Sequence, residues 1–115
     1  MPALFIGHGS PMNGVDDTVY GRSWEELGKT LPRPKAICVI SAHWLTRGTF
    51  VHVAEHPKTI HDFYGFPSEL YDITYPAPGS PYFAEATQAL IDGAVVERDL
   101  TWGLDHGAWI VLHKM

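Results

Sequence analysis

Apolar residues recur in short runs along the chain, and glycine or proline closes most of them. Ala3 to Ile6 runs straight into Gly7-His8-Gly9-Ser10-Pro11, which predicts a buried strand feeding a glycine-rich loop. Ser23-Trp24-Glu25-Glu26 has capping-box form and predicts a short helix. Trp24, Leu27 and Leu31 would share one face of it, and Pro32 and Pro34 would end it. Ala36 to Ala42 is continuous and rich in β-branched residues, the pattern of a parallel strand buried on both faces. Strand, helix and strand in this order predict a βαβ unit with a right-handed crossover.

Thr49 to Ala54 reads as a further strand with partial alternation. Residues 56–81 are too broken by proline for a long element and are expected to form an ordered loop. Ser80-Pro81 then opens a helix, with Phe83, Ala86, Leu90 and Ile91 as its apolar face and Gly93 at its end. Ala94 to Glu97 predicts a short strand, and Asp105 can cap a last helix carrying Trp109, Ile110 and Leu112. The expected class is α/β: a central, mostly parallel or mixed sheet flanked by helices, rich in loops. With 115 residues there is material for one core. The helical pattern is still running at Met115, so residues 1–115 are expected to be part of a longer domain, incomplete by themselves.

Composition narrows the function classes. A 45% hydrophobic and 18% charged chain is neither disordered nor a coiled coil. A net charge of −5 lacks the basic footprint of a nucleic-acid binder. No apolar run approaches the roughly 20 residues of a membrane span, and the first residues do not read as a signal peptide. Cys38 is the single cysteine, so no internal disulfide can form and a cytoplasmic, reducing setting is expected. Its place in the apolar run 36–40 suggests a buried small hydrophobe.

The surplus is in histidine, seven residues. His8 and His43 each follow directly on a predicted strand. In a parallel sheet both would emerge at the carboxyl edge, where α/β sheets bind ligands. Two imidazoles there can begin a transition-metal site, or can be unrelated polar loop residues. His61, in Ile60-His61-Asp62-Phe63-Tyr64, either lines a pocket for a flat ring or rims a packed aromatic loop. His106, in Gly103-Leu104-Asp105-His106-Gly107, suits a general acid or base if Asp105 fixes its tautomer; Asp105 can equally be only a helix cap. His52, His56 and His113 are read as structural. Walker, Gly-x-Ser-x-Gly and dinucleotide motifs are missing.

Side by side, the motifs are Pro2-Ala3-Leu4-Phe5-Ile6-Gly7-His8-Gly9-Ser10-Pro11, Ile40-Ser41-Ala42-His43-Trp44, Thr59-Ile60-His61-Asp62-Phe63, Tyr75-Pro76-Ala77-Pro78-Gly79 and Gly103-Leu104-Asp105-His106-Gly107-Ala108-Trp109. In this order they resemble the class III extradiol ring-cleavage dioxygenases, in the branch of the 4,5-DOPA dioxygenases, along the whole chain. The resemblance implies an α/β catalytic domain of which residues 1–115 are the N-terminal part. It implies Fe(II), with Zn(II) also found in the branch, held by His8 and His43. It implies His106 as a catalytic acid–base or hydrogen-bonding residue and His61 as a substrate-side residue. The substrates would be a catechol, DOPA-like, and O2, with ring opening outside the two hydroxyls. The remaining metal ligand and a further substrate histidine of the family lie in a C-terminal half, so the 115-residue chain is expected to be inactive alone. A zinc-dependent hydrolase and a non-catalytic scaffold on the same fold are the competing readings.

Overall fold

The computed structural model describes residues 2–115. Its regular elements are α1 (Val19–Thr30), β1 (Thr49–His52), α2 (Ser68–Tyr71), α3 (Pro81–Leu90), β2 (Val96–Asp99) and α4 (His106–Lys114), preceded by a 3-10 turn at Pro11–Gly14. β1 and β2 pair in parallel, with Thr49 opposite Val96 and His52 opposite Asp99. The α/β class stands, with a small parallel sheet and helices around it.

The βαβ unit lies elsewhere than expected. It is β1–α3–β2, and α3 packs against β1. The two runs that read best as strands, 3–6 and 36–42, enter no ladder among the described residues. Phe5 and Ile40 are almost wholly exposed, and Cys38 is exposed rather than buried. A buried strand needs a neighbour for its backbone N–H and C=O groups, and hydrophobicity by itself does not supply one.

Helix ends follow local chemistry. Ser80 accepts the N–H of Phe83 and Pro81 occupies the first turn, so α3 starts where expected. It ends at a cap on Ile91, two residues before Gly93, and its face of Phe83, Ala86, Leu90 and Ile91 stays largely exposed. α1 begins a turn earlier than the capping-box pattern suggests. Thr18 caps it through Gly21 N–H, and Ser23 sits inside the helix, donating to the Val19 carbonyl.

The core forms where α4 meets α1, α2 and the 3-10 turn. Trp109, Ile110 and Leu70 are fully buried, with Trp24 and Val111 nearly so. Phe63, Phe66 and Tyr75 from the proline-broken loop pack on this cluster, and the Trp109 indole N–H donates to the Ile60 carbonyl at 2.9 Å. That stretch is tied down by a bridge between Thr59 and Leu104, but it is not all loop: one helical turn, α2, forms within it and buries Leu70.

Candidate metal centre

Three chain segments deliver three imidazoles to one place. Gly9, with φ 62°, turns the chain after His8. The Asn13 amide donates to the His8 carbonyl at 2.9 Å, holding that turn against the 3-10 segment. Ser41 bends the chain before His43 by accepting the His43 backbone N–H at 3.2 Å. His106 opens α4, whose cap is the buried Asp105 carboxylate accepting the Ala108 N–H.

The result is compact. The Nε2 atoms of His8 and His43 are 2.8 Å apart. Ring centroids are 5.0 Å apart for His8–His43, 4.9 Å for His8–His106 and 4.1 Å for His43–His106. One ligand atom from each of the three lies within 4.8 Å of the others. Sequence reasoning thus places His8, His43 and His106 in one site, although the two strands expected to carry the first pair do not form.

The arrangement fits a metal ion. Two nitrogens about 2.0–2.1 Å from one ion and at right angles to each other are about 2.9 Å apart. The His8 ring is held below the usual histidine pKa, first by burial and then by the neighbouring His106 and His43 rings. A neutral imidazole is the form that ligates. His8 Nδ1 is buried without a hydrogen-bond partner, and the ring's one side-chain contact of hydrogen-bond length is the one from Nε2 to His43.

Asp62 is the residue that the sequence did not disclose. Its Oδ1 accepts the His106 backbone N–H at 2.9 Å and lies 2.9 Å from His106 Nδ1. Burial opposes ionisation of Asp62, but the hydrogen bond from the His106 backbone and the nearness of the His106 ring outweigh it and keep the carboxyl below its ordinary pKa. A carboxylate this close to Nδ1 favours a proton on that nitrogen by charge and leaves Nε2 for chemistry, although the contact itself lacks hydrogen-bond geometry. This task therefore belongs to Asp62, 44 residues upstream, and not to the adjacent Asp105. Asp105 caps α4 and takes hydrogen bonds from Ser41 and Trp102.

His61 is not brought into the cluster. Its Nε2 lies 2.8 Å from the Ile73 carbonyl, and its ring packs among Phe63, Tyr71 and Trp109. Phe63 links the two sites, meeting His106 edge-on at 5.7 Å. Beside the imidazoles a cleft is lined by Phe5, Ile6, Ile40 and Ala42 together with His8 and His43. Away from the cluster, His52 pairs with Asp99 across the two strands, and His113 is exposed on α4. No described helix is long and apolar enough to cross a membrane.

The chain is 60% identical over 116 residues to a protein of Escherichia coli K12 named 4,5-DOPA dioxygenase extradiol. The alignment takes in 100% of this chain and 43% of that protein. A protein of the same name from Beta vulgaris is 46% identical over 119 residues, covering 97% of this chain and 44% of its own length. The chain thus spans under half the length of these relatives. A crystal structure of an uncharacterised Escherichia coli K12 protein superposes with a TM-score of 0.69 at 48% identity, over 92% of this chain and 38% of that one. The family described as the catalytic LigB subunit of aromatic ring-opening dioxygenase matches residues 2–115, and the chain belongs to this family.

Proposed function

We propose that residues 1–115 are the N-terminal part of a single catalytic domain that opens the ring of a catechol with O2, in the extradiol manner. The observation that carries this reading is the meeting of His8, His43 and His106 in a chain of this family. His8 and His43 would hold the metal, proposed as Fe(II), with Zn(II) the other candidate. The bound cation would draw a catechol and O2 together and lower the pKa of the hydroxyls.

The protein's own part is positioning and proton transfer. His106, oriented by Asp62, takes a hydroxyl proton at Nε2 and returns it to the ring-opened product. Both oxygen atoms enter the product, so catechol plus O2 gives the semialdehyde acid with no external reductant. The aromatic wall of Phe63, with His61 one ring further out, would lie against the substrate ring. The reading includes a cytoplasmic setting, supported by the lone Cys38.

Oxygen uptake decides the matter. The complete reading frame, loaded with ferrous ion, is expected to consume O2 when a DOPA-like catechol is added, and the 115-residue chain alone is not. Intact catechol in the presence of the iron-loaded complete protein would refute the reading. Ester or amide hydrolysis with Zn(II) would favour the hydrolase instead. His106→Gln separates the roles: turnover falls by about 10²–10⁴-fold while metal affinity stays near that of the unsubstituted protein. Loss of metal on the scale of His8→Ala would make His106 a ligand.

A further inference from the structure

We infer that Asp105-His106-Gly107 is a docking unit that positions His43, with Ser41 as the link, and that Asp105 and Ser41 set the site's metal affinity without touching the metal. This rests on the metal reading above for its affinity arm only. The Asp105 side chain is 1% exposed, and three donors converge on it. Its Oδ1 accepts the Ser41 hydroxyl at 2.6 Å and the Ala108 N–H at 3.2 Å, and its Oδ2 accepts the Trp102 indole N–H at 3.3 Å. The Ser41 oxygen in turn accepts the His43 backbone N–H at 3.2 Å. A continuous hydrogen-bonded path thus joins the start of α4 to the backbone of His43, across 64 residues of sequence.

Gly107 completes the seat. A Cβ at this position would stand 2.7 Å from His43 Cδ2 and 3.1 Å from Ser41 Oγ. The first distance is closer than real Cβ atoms come and the second is tight, so a side chain at residue 107 would displace the His43 ring from its seat on α4. Three consecutive residues therefore act on one geometry. Asp105 grips the turn that carries His43, His106 brings the neighbouring ring, and Gly107 clears the space between them. His43 itself is exposed and its run 36–42 forms no ladder, so these contacts supply the restraint that a strand does not. Groups that orient a ligating histidine from behind typically change metal affinity by about 10–100-fold, and here the hold is on the His43 backbone and the face of its ring.

The test uses Ser41→Ala, which leaves the Asp105 cap on α4 intact, with Ser41→Thr as the variant that keeps a hydroxyl. In the metal-free 115-residue chain, amide hydrogen exchange at His43 should rise about tenfold in Ser41→Ala and return towards the original rate in Ser41→Thr, by removal and restoration of its acceptor. In a Co(II) titration followed by visible absorption, Ser41→Ala and Gly107→Ala should each weaken binding by about tenfold, and Ser41→Thr by much less. The thermal midpoint of Ser41→Ala should stay close to that of the unsubstituted chain. Unchanged exchange at His43, or a loss that Ser41→Thr does not restore, overturns the docking role. If His8→Ala leaves Co(II) uptake unaltered, the metal reading fails, and the exchange measurement still decides the docking role.

Discussion

Two regions of this molecule are equally apolar in sequence and have opposite fates. In α4, Trp109 and Ile110 are fully buried, and the loop from Ile60 to Tyr75 closes over them. In the runs 3–6 and 36–42, Phe5 and Ile40 stand in the open and only Ile6 reaches the core. A helix satisfies its own backbone and needs only one covered face. A doubly buried strand needs partners on both edges and cover on both faces. The difference shows that an apolar run records a demand for cover, and whether the demand is met depends on what else is present. The imidazoles of His8 and His43 still meet, because turns, a cap and one missing Cβ hold them from the α4 side.

The contrast can be broken by substitution, beginning with its strongest member. Trp109→Ala removes a fully buried ring and its hydrogen bond to Ile60, and should cost about 3–5 kcal/mol in urea unfolding. A loss under 1 kcal/mol would mean that α4 is not the organising element. Asp62→Asn removes the charge behind His106 while keeping its size. Site function in the iron-loaded complete protein should fall by about 10–100-fold, read as kcat for catechol-dependent oxygen uptake, with little change in urea midpoint.

A pH series probes the sheet that does form. Burial would raise the Asp99 carboxyl, but hydrogen bonds from Trp102 N–H, His52 and Thr101 outweigh it and hold it below its ordinary value of 3.8. Because its folded value is depressed, Asp99 contributes stability that is complete above 3.8 and fades as pH falls through the folded value. In Asp99→Asn that acid-side loss should shrink, as followed by circular dichroism between pH 5 and 2, about the range over which a paired carboxylate titrates. An identical acid profile would remove Asp99 from the account. Ile40→Ser is the smallest expected effect: with the side chain 96% exposed, unfolding of the 115-residue chain should shift by less than about 0.5 kcal/mol. A loss near 2 kcal/mol would show that the 36–42 run is covered in solution and erase the contrast.

Much of the site is legible in local sequence. His8 and His106 stand out by type and by neighbouring glycines and His43 by its place after an apolar run, and the Ser80 and Asp105 caps follow from local rules that reach only three residues. Asp62 was not readable, because its partner is 44 residues away and no local pattern marks a carboxylate that will face a distant ring. The Ser41–Asp105 contact was hidden for the same reason, at 64 residues. The start of α1 was misread because two hydroxyl residues compete for one cap, and Thr18 and Ser23 differ only in what surrounds them.

By itself the sequence determined the α/β class and the caps of α3 and α4, which depend on residue type and on periodicity within a few turns, and its ordered motifs pointed to the family. Only the tertiary structure decided that β1 and β2 are the paired strands, that Asp62 stands behind His106, and that Asp105, Ser41 and Gly107 seat His43. Those outcomes depend on which distant segments come within about 3 Å of each other, and hydrogen bonding acts only at that range.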